Sequence, residues 1–117
     1  MAFAMVLCSS SPAQEMFVPA HPAPKREVRG VWITTLGGLD WPKTKASSPQ
    51  GIEQQKQELT EMLDQLQALR INTIFLQTRV RGSVIYPSQI EPGDVALTGK
   101  YNRSPGYDPL AFAITEA

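Results

Sequence analysis

Residues 27–36 form an extended segment that is apolar on both sides, with Val28, Gly30, Trp32 and Thr34 on one face and Val31 and Ile33 on the other. A strand of that kind belongs in a parallel sheet covered by helices. A loop over residues 37–42 and a polar stretch over 43–48 follow. Ser48 then offers its hydroxyl as an N-cap, with Pro49 at the first helical position, so a helix is predicted to start there. Its apolar face is read from Ile52, Leu59, Met62, Leu63, Leu66 and Leu69, spaced three, four and seven apart. Glu53, Lys56, Glu58, Glu61 and Asp64 fall on the solvated side, and the helix is expected to end near residues 70–72, with Arg70 where a glycine is usual.

A second strand, apolar on both faces, is predicted over residues 73–80. Strand, helix and strand joined by short connections make a βαβ unit with two parallel strands. Residues 81–107, rich in Gly, Pro, Ser and Asn, read as a long loop, and ordered loops of that length in compact domains are usually functional. Asp108 and Pro109 repeat the cap-plus-proline signal, and Leu110, Phe112, Ala113 and Ile114 open the apolar face of a second helix. Two parallel strands with one and a half helices cannot close a sheet or bury both its faces, so the pattern is that of the N-terminal part of something larger.

Ahead of the first strand the character changes. Residues 1–24 contain an apolar run from Ala2 to Leu7 and then Ser11-Pro12-Ala13, with small residues where a signal peptidase reads. This resembles the back half of an export signal, although no Lys or Arg precedes Lys25. Lipid anchoring through Cys8 is a variant of that reading, with bulky Leu7 against it; a disordered tail is the alternative. The expected division is therefore a leader over residues 1–24 and an ordered unit over 25–117.

Composition narrows the function classes. The chain of 117 residues is 42% hydrophobic and 19% charged, and eleven basic residues balance eleven acidic ones. Without a basic surplus there is no electrostatic case for nucleic acid. A single cysteine forms no internal disulfide, and the single histidine, His21, sits among prolines with no converging donors, so no metal or cofactor pattern is read. Apolar runs fall short of the ~20 residues that a transmembrane helix needs.

The stretches VRGVWITT, LDWP, INTIFLQTRVRGSVIYPS, LTGK and PGYDPLAFAI, in that order, resemble the bacterial glycoside-hydrolase-like family 10 over roughly residues 25–117. The resemblance implies a (β/α)8 TIM barrel of the cell envelope acting on glycan chains, polysaccharide or peptidoglycan, of which this chain holds about two βα units. It assigns no catalytic residue here, because the family's presumed catalytic carboxylates lie on a later strand with no matching position. Its implied alternative is a non-catalytic carbohydrate-binding or structural barrel; unrelated chemistry on the same fold is a third reading. Oligomeric state is not readable.

Within that frame the substrate-binding candidates are Trp32, Asp40, Trp41, Gln77, Arg79, Arg81 and Tyr86. Trp32 is expected to point into the barrel, where an indole stacks on a sugar or fills the core. Trp41 is either a substrate platform or an anchor for the loop after strand 1, and Asp40 either a hydroxyl ligand or a turn cap. Gln77 and Arg79 are placed on one strand face, where a guanidinium near the strand end calls for a partner or a wet cleft. Arg81 opens the long loop and Tyr86 adds aromatic surface to it. Glu91 and Asp94 read as members of a solvated turn.

Overall fold

The computed structural model describes residues 26–117. The leader, Cys8 and His21 lie outside the described residues. Strand β1 (Gly30–Ile33) pairs in parallel with β2 (Thr73–Leu76), in the register Gly30 with Thr73, Val31 with Ile74, Trp32 with Phe75 and Ile33 with Leu76. Helix α1 (Pro49–Ala68) connects them, so the βαβ unit expected from the periodicity is present. The described chain is mixed α/β.

Local chemistry explains where α1 begins and ends. Ser48 Oγ accepts from the Gly51 backbone N–H at 3.1 Å, and Pro49 occupies the first position, where its missing N–H leaves no bond unmade. Gly51 has to be a glycine: a Cβ there would stand 2.4 Å from the Lys45 carbonyl oxygen. At the far end Arg70 takes φ 60°, the left-handed position that glycine normally fills, and the Ile71 N–H reaches back to Leu66 O at 3.0 Å to close the last turn.

Among the described residues only one face of the β1–β2 pair is covered. Val31, Ile33, Ile74 and Leu76 face α1 and pack with Leu59, Met62, Leu63 and Leu66. Removing each large side chain from water contributes about 1.5–3 kcal/mol, so this contact fixes the helix on the sheet. Trp41, Ile85, Leu97 and Ala113 extend the core toward the C-terminal ends of the strands and toward α3 (Pro109–Glu116), with Phe112 packed against it. The Asp108 carboxylate caps α3, accepting from the N–H groups of Leu110 and Ala111 at 3.0 Å each. On the other sheet face Trp32 and Phe75 stack with centroids 6.4 Å apart and remain 62% and 49% exposed. Helices on both faces were expected; among the described residues the second face carries none.

Three further expectations are corrected. The second strand stops at Leu76, and Arg79 and Val80 form a separate two-residue strand, β3, antiparallel to β4 (Ser83–Val84). Arg81 and Gly82 make the turn between them with φ of 50° and 77°, so Gln77 and Arg79 do not share one strand. The segment read as a long loop contains β4 and a one-turn helix, α2 (Val95–Thr98). Asp94 is buried rather than solvated: it caps α2 through the Ala96 N–H at 2.7 Å and accepts the Ser83 hydroxyl.

Candidate functional site

At the C-terminal ends of β1 and β2 the backbone ladder runs one step further, with the Gln77 N–H donating to Ile33 O at 2.9 Å. This brings Thr34 and Gln77 together as a polar rung beyond the Trp32–Phe75 pair. Thr34 Oγ1 donates to Gln77 Oε1 at 2.6 Å, the Thr35 N–H donates to the same oxygen at 3.2 Å, and Thr35 Oγ1 donates to Gln77 O at 3.0 Å. Asp40 turns back onto the rung, its Oδ2 accepting from the Thr34 N–H at 2.8 Å. Trp32, Asp40 and Gln77 are thus gathered around one strand end.

Trp41 belongs elsewhere. Its side chain is fully buried, and the indole N–H donates to Gln55 O at 2.8 Å. A ring with no accessible face cannot serve as a substrate platform, which corrects that expectation: Trp41 anchors the loop after β1 on α1. Glu58 secures the same loop, accepting from the N–H groups of Lys43 and Thr44 at 2.9 and 3.0 Å.

Arg79, Arg81 and Tyr86 lie on the hairpin and the segment after it, and no hydrogen bond among the described residues ties them to the Thr34–Gln77 rung. Arg79 Nε pairs with Glu91 Oε1 at 2.5 Å, an ion pair made within this segment and largely exposed on the arginine side. Arg81 is exposed in the turn. Tyr86 is half-buried and borders a cavity of about 260 Å³ shared with Asn102, Arg103 and Tyr107.

Sequence reasoning missed Gln55. It is fully buried on α1; Nε2 donates to the backbone oxygens of Thr44 at 2.8 Å and Leu97 at 3.0 Å, and Oε1 accepts the Tyr107 hydroxyl at 2.7 Å. The signal was its position: it stands between Ile52 and Leu59 on the apolar stripe, where a polar residue needs buried partners. Burial, then the charges of Glu58 and Glu53, raise the Tyr107 phenol well above its ordinary pKa of 10.0.

Asp40, Glu58, Glu91, Asp94 and Asp108 each hold part of the fold together, and no cluster of three or more metal-ligating side chains occurs among the described residues. No helix there is long and apolar enough to cross a membrane.

Comparison with known proteins adds a family. The model of the family described as "Glycosyl hydrolase-like 10" matches residues 27–117. A protein named "Glycosyl hydrolase DigH" from Escherichia coli K12 is 38% identical over 99% of this chain and 30% of its own length. "Glycosyl hydrolase YngK" from Bacillus subtilis is 41% identical over 78% of this chain and 17% of its own. The chain therefore spans less than a third of the length of either curated relative.

Proposed function

Because the chain belongs to the glycosyl hydrolase-like 10 family, we propose that it supplies the first two βα units of a (β/α)8 barrel that hydrolyses O-glycosidic bonds in cell-wall or other glycan chains. The carrying observation is the uncovered face of the β1–β2 pair: aromatic at Trp32 and Phe75, polar at Thr34 and Gln77, and lying opposite the helix. In such a barrel that face points to the interior, and its polar end lies at the mouth where sugars bind. A barrel needs about 250 residues, so the acid and base are assigned to later strands of a parent protein of the relatives' length. Export to the envelope under the leader at residues 1–24 is part of the same reading, with the barrel beginning at about residue 25.

The test is to incubate the full-length protein with soluble cell-wall glycan strands and measure new reducing ends. Release that disappears when the facing carboxylates of the later strands are changed to amides supports the hydrolase. Retention of glycan without cleavage supports the second reading, a non-catalytic carbohydrate-binding barrel. The absence of both retention and cleavage overturns both readings.

A further inference from the structure

We propose that Gln77 presents its side-chain Nε2 as a fixed hydrogen-bond donor to a sugar oxygen, beside the exposed Trp32–Phe75 stack; the proposal rests on the glycan reading above.

The amide's orientation follows from its neighbours. A backbone N–H can only donate, so the atom 3.2 Å from Thr35 N has to be the carbonyl oxygen Oε1. The Thr34 hydroxyl is bound to the same conclusion. It accepts the Leu36 N–H at 3.2 Å, and its own proton goes to Oε1 at 2.6 Å. Oε1 thus has two donors for its two lone pairs and is fully used. Gln77 is also held by its backbone, through Ile33 O on one side and Thr35 Oγ1 on the other. Thr34 is fixed in turn by Asp40 Oδ2 at its N–H and by the Trp41 N–H at its carbonyl.

What remains is Nε2. It makes no hydrogen bond to any described residue, and no buried side-chain polar atom among those residues lacks a partner. Among the described residues Nε2 is therefore left open. By alternation Gln77 continues the face of Thr73 and Phe75, the side opposite α1. The result is a donor of set direction next to an aromatic pair that the described residues leave uncovered. A pyranose has the complementary surfaces: an apolar ring face for the indole or phenyl and hydroxyl or acetamido oxygens for the amide. A donor locked before binding costs little further ordering when the ligand arrives.

The variant Gln77→Glu keeps an acceptor for Thr34 and Thr35 while removing the donor. Binding of N-acetylglucosamine oligomers to the full-length protein is to be followed by calorimetry, with Tm measured in parallel. The expected result is affinity weakened about tenfold, the scale of one lost hydrogen bond with its partner left unpaired, at near-unchanged Tm. In the unmodified protein the Gln77 side-chain amide resonances should move during the same titration, a readout that stands even if the variant does not fold. Wild-type affinity in Gln77→Glu, or glycan binding that leaves those resonances in place, overturns the assignment while sparing the glycan reading. Absence of any glycan binding or cleavage by the wild type removes that reading and this assignment with it.

Discussion

Tyr107 and Gln55 are 52 positions apart in the chain, and the hydroxyl of the first donates to the side-chain oxygen of the second at 2.7 Å. Through that bond the segment leading into α3 is tied to α1. The other end of the same amide holds Thr44 and Leu97, so two loop segments and α2 are fastened to one buried side chain.

Gln55→Leu is therefore expected to be strongly destabilising even though leucine suits a buried helix position. It leaves the part-buried Thr44 carbonyl and Tyr107 phenol without this partner and takes one of two donors from Leu97 O, which keeps the Ala46 N–H at 2.8 Å, at about 1–3 kcal/mol for each buried group left unsatisfied. Urea unfolding should show a lower midpoint by at least ~2 kcal/mol of stability. A midpoint equal to that of the wild type would mean that water replaces the amide.

Tyr107 gives the fold a sensitivity to alkaline pH. Its folded pKa is raised, first by burial and then by Glu58 and Glu53, above the 10.0 of the exposed phenol. The stabilisation is fully present below the unfolded pKa; as pH rises past it the unfolded chain loses the proton while the folded one resists, and stability falls. In Tyr107→Phe this loss should be absent, so the stability gap between wild type and variant narrows from about pH 10 upward. Urea midpoints measured on either side of that pH check it.

Trp41→Phe removes the indole N–H from Gln55 O and leaves space in the core. Trp41→Ala empties the position, and the two should cost about 1–2 and about 3–5 kcal/mol respectively. If glycan binding in the full-length protein weakens in Trp41→Phe without any change in Tm, the purely structural role of Trp41 is wrong.

Trp32 reports on the barrel. In a Trp41→Phe background it is the remaining tryptophan of the chain's two. On residues 26–117 it is exposed, whereas inside a closed barrel it is shielded by further strands. Acrylamide quenching of position 32 in the full-length protein, with any tryptophans elsewhere replaced, should be weak and should fall further on glycan binding. Strong quenching, as for a free indole, would argue against closure.

Elements whose cause is local were legible from the residues alone. Ser48 with Pro49 and Asp108 with Pro109 set their helix starts through bonds spanning two or three positions, and the α1 face follows from side-chain spacing. The end of β2 was not legible, because Gln77 and Thr78 are acceptable in a strand and the hairpin turn is Arg81-Gly82 rather than the stronger Asn-Gly signal. Asp94 was misread, and the platform and anchor readings of Trp41 stayed open, for a related reason: each is buried by segments distant in sequence, and local polarity or aromatic character does not reveal what folds over it. Of the candidate site, Gln77 and Trp32 could be named in advance, whereas the orientation of the Gln77 amide depended on Thr34 and Thr35, 43 and 42 positions away.

The shared tether at Gln55 also determines where the polypeptide can change length. Positions 44 and 97 are pinned to a common point on α1, and an added residue close to either would pull both away from it. The stretch around Ile90, which is 94% exposed, lies outside those tethers. A short epitope inserted between Gln89 and Ile90 should therefore cost only the exposed Ser88 turn bonds to the Ile90 and Glu91 N–H groups and none of the Gln55 tethers, and the same stretch is where natural insertions are expected to accumulate.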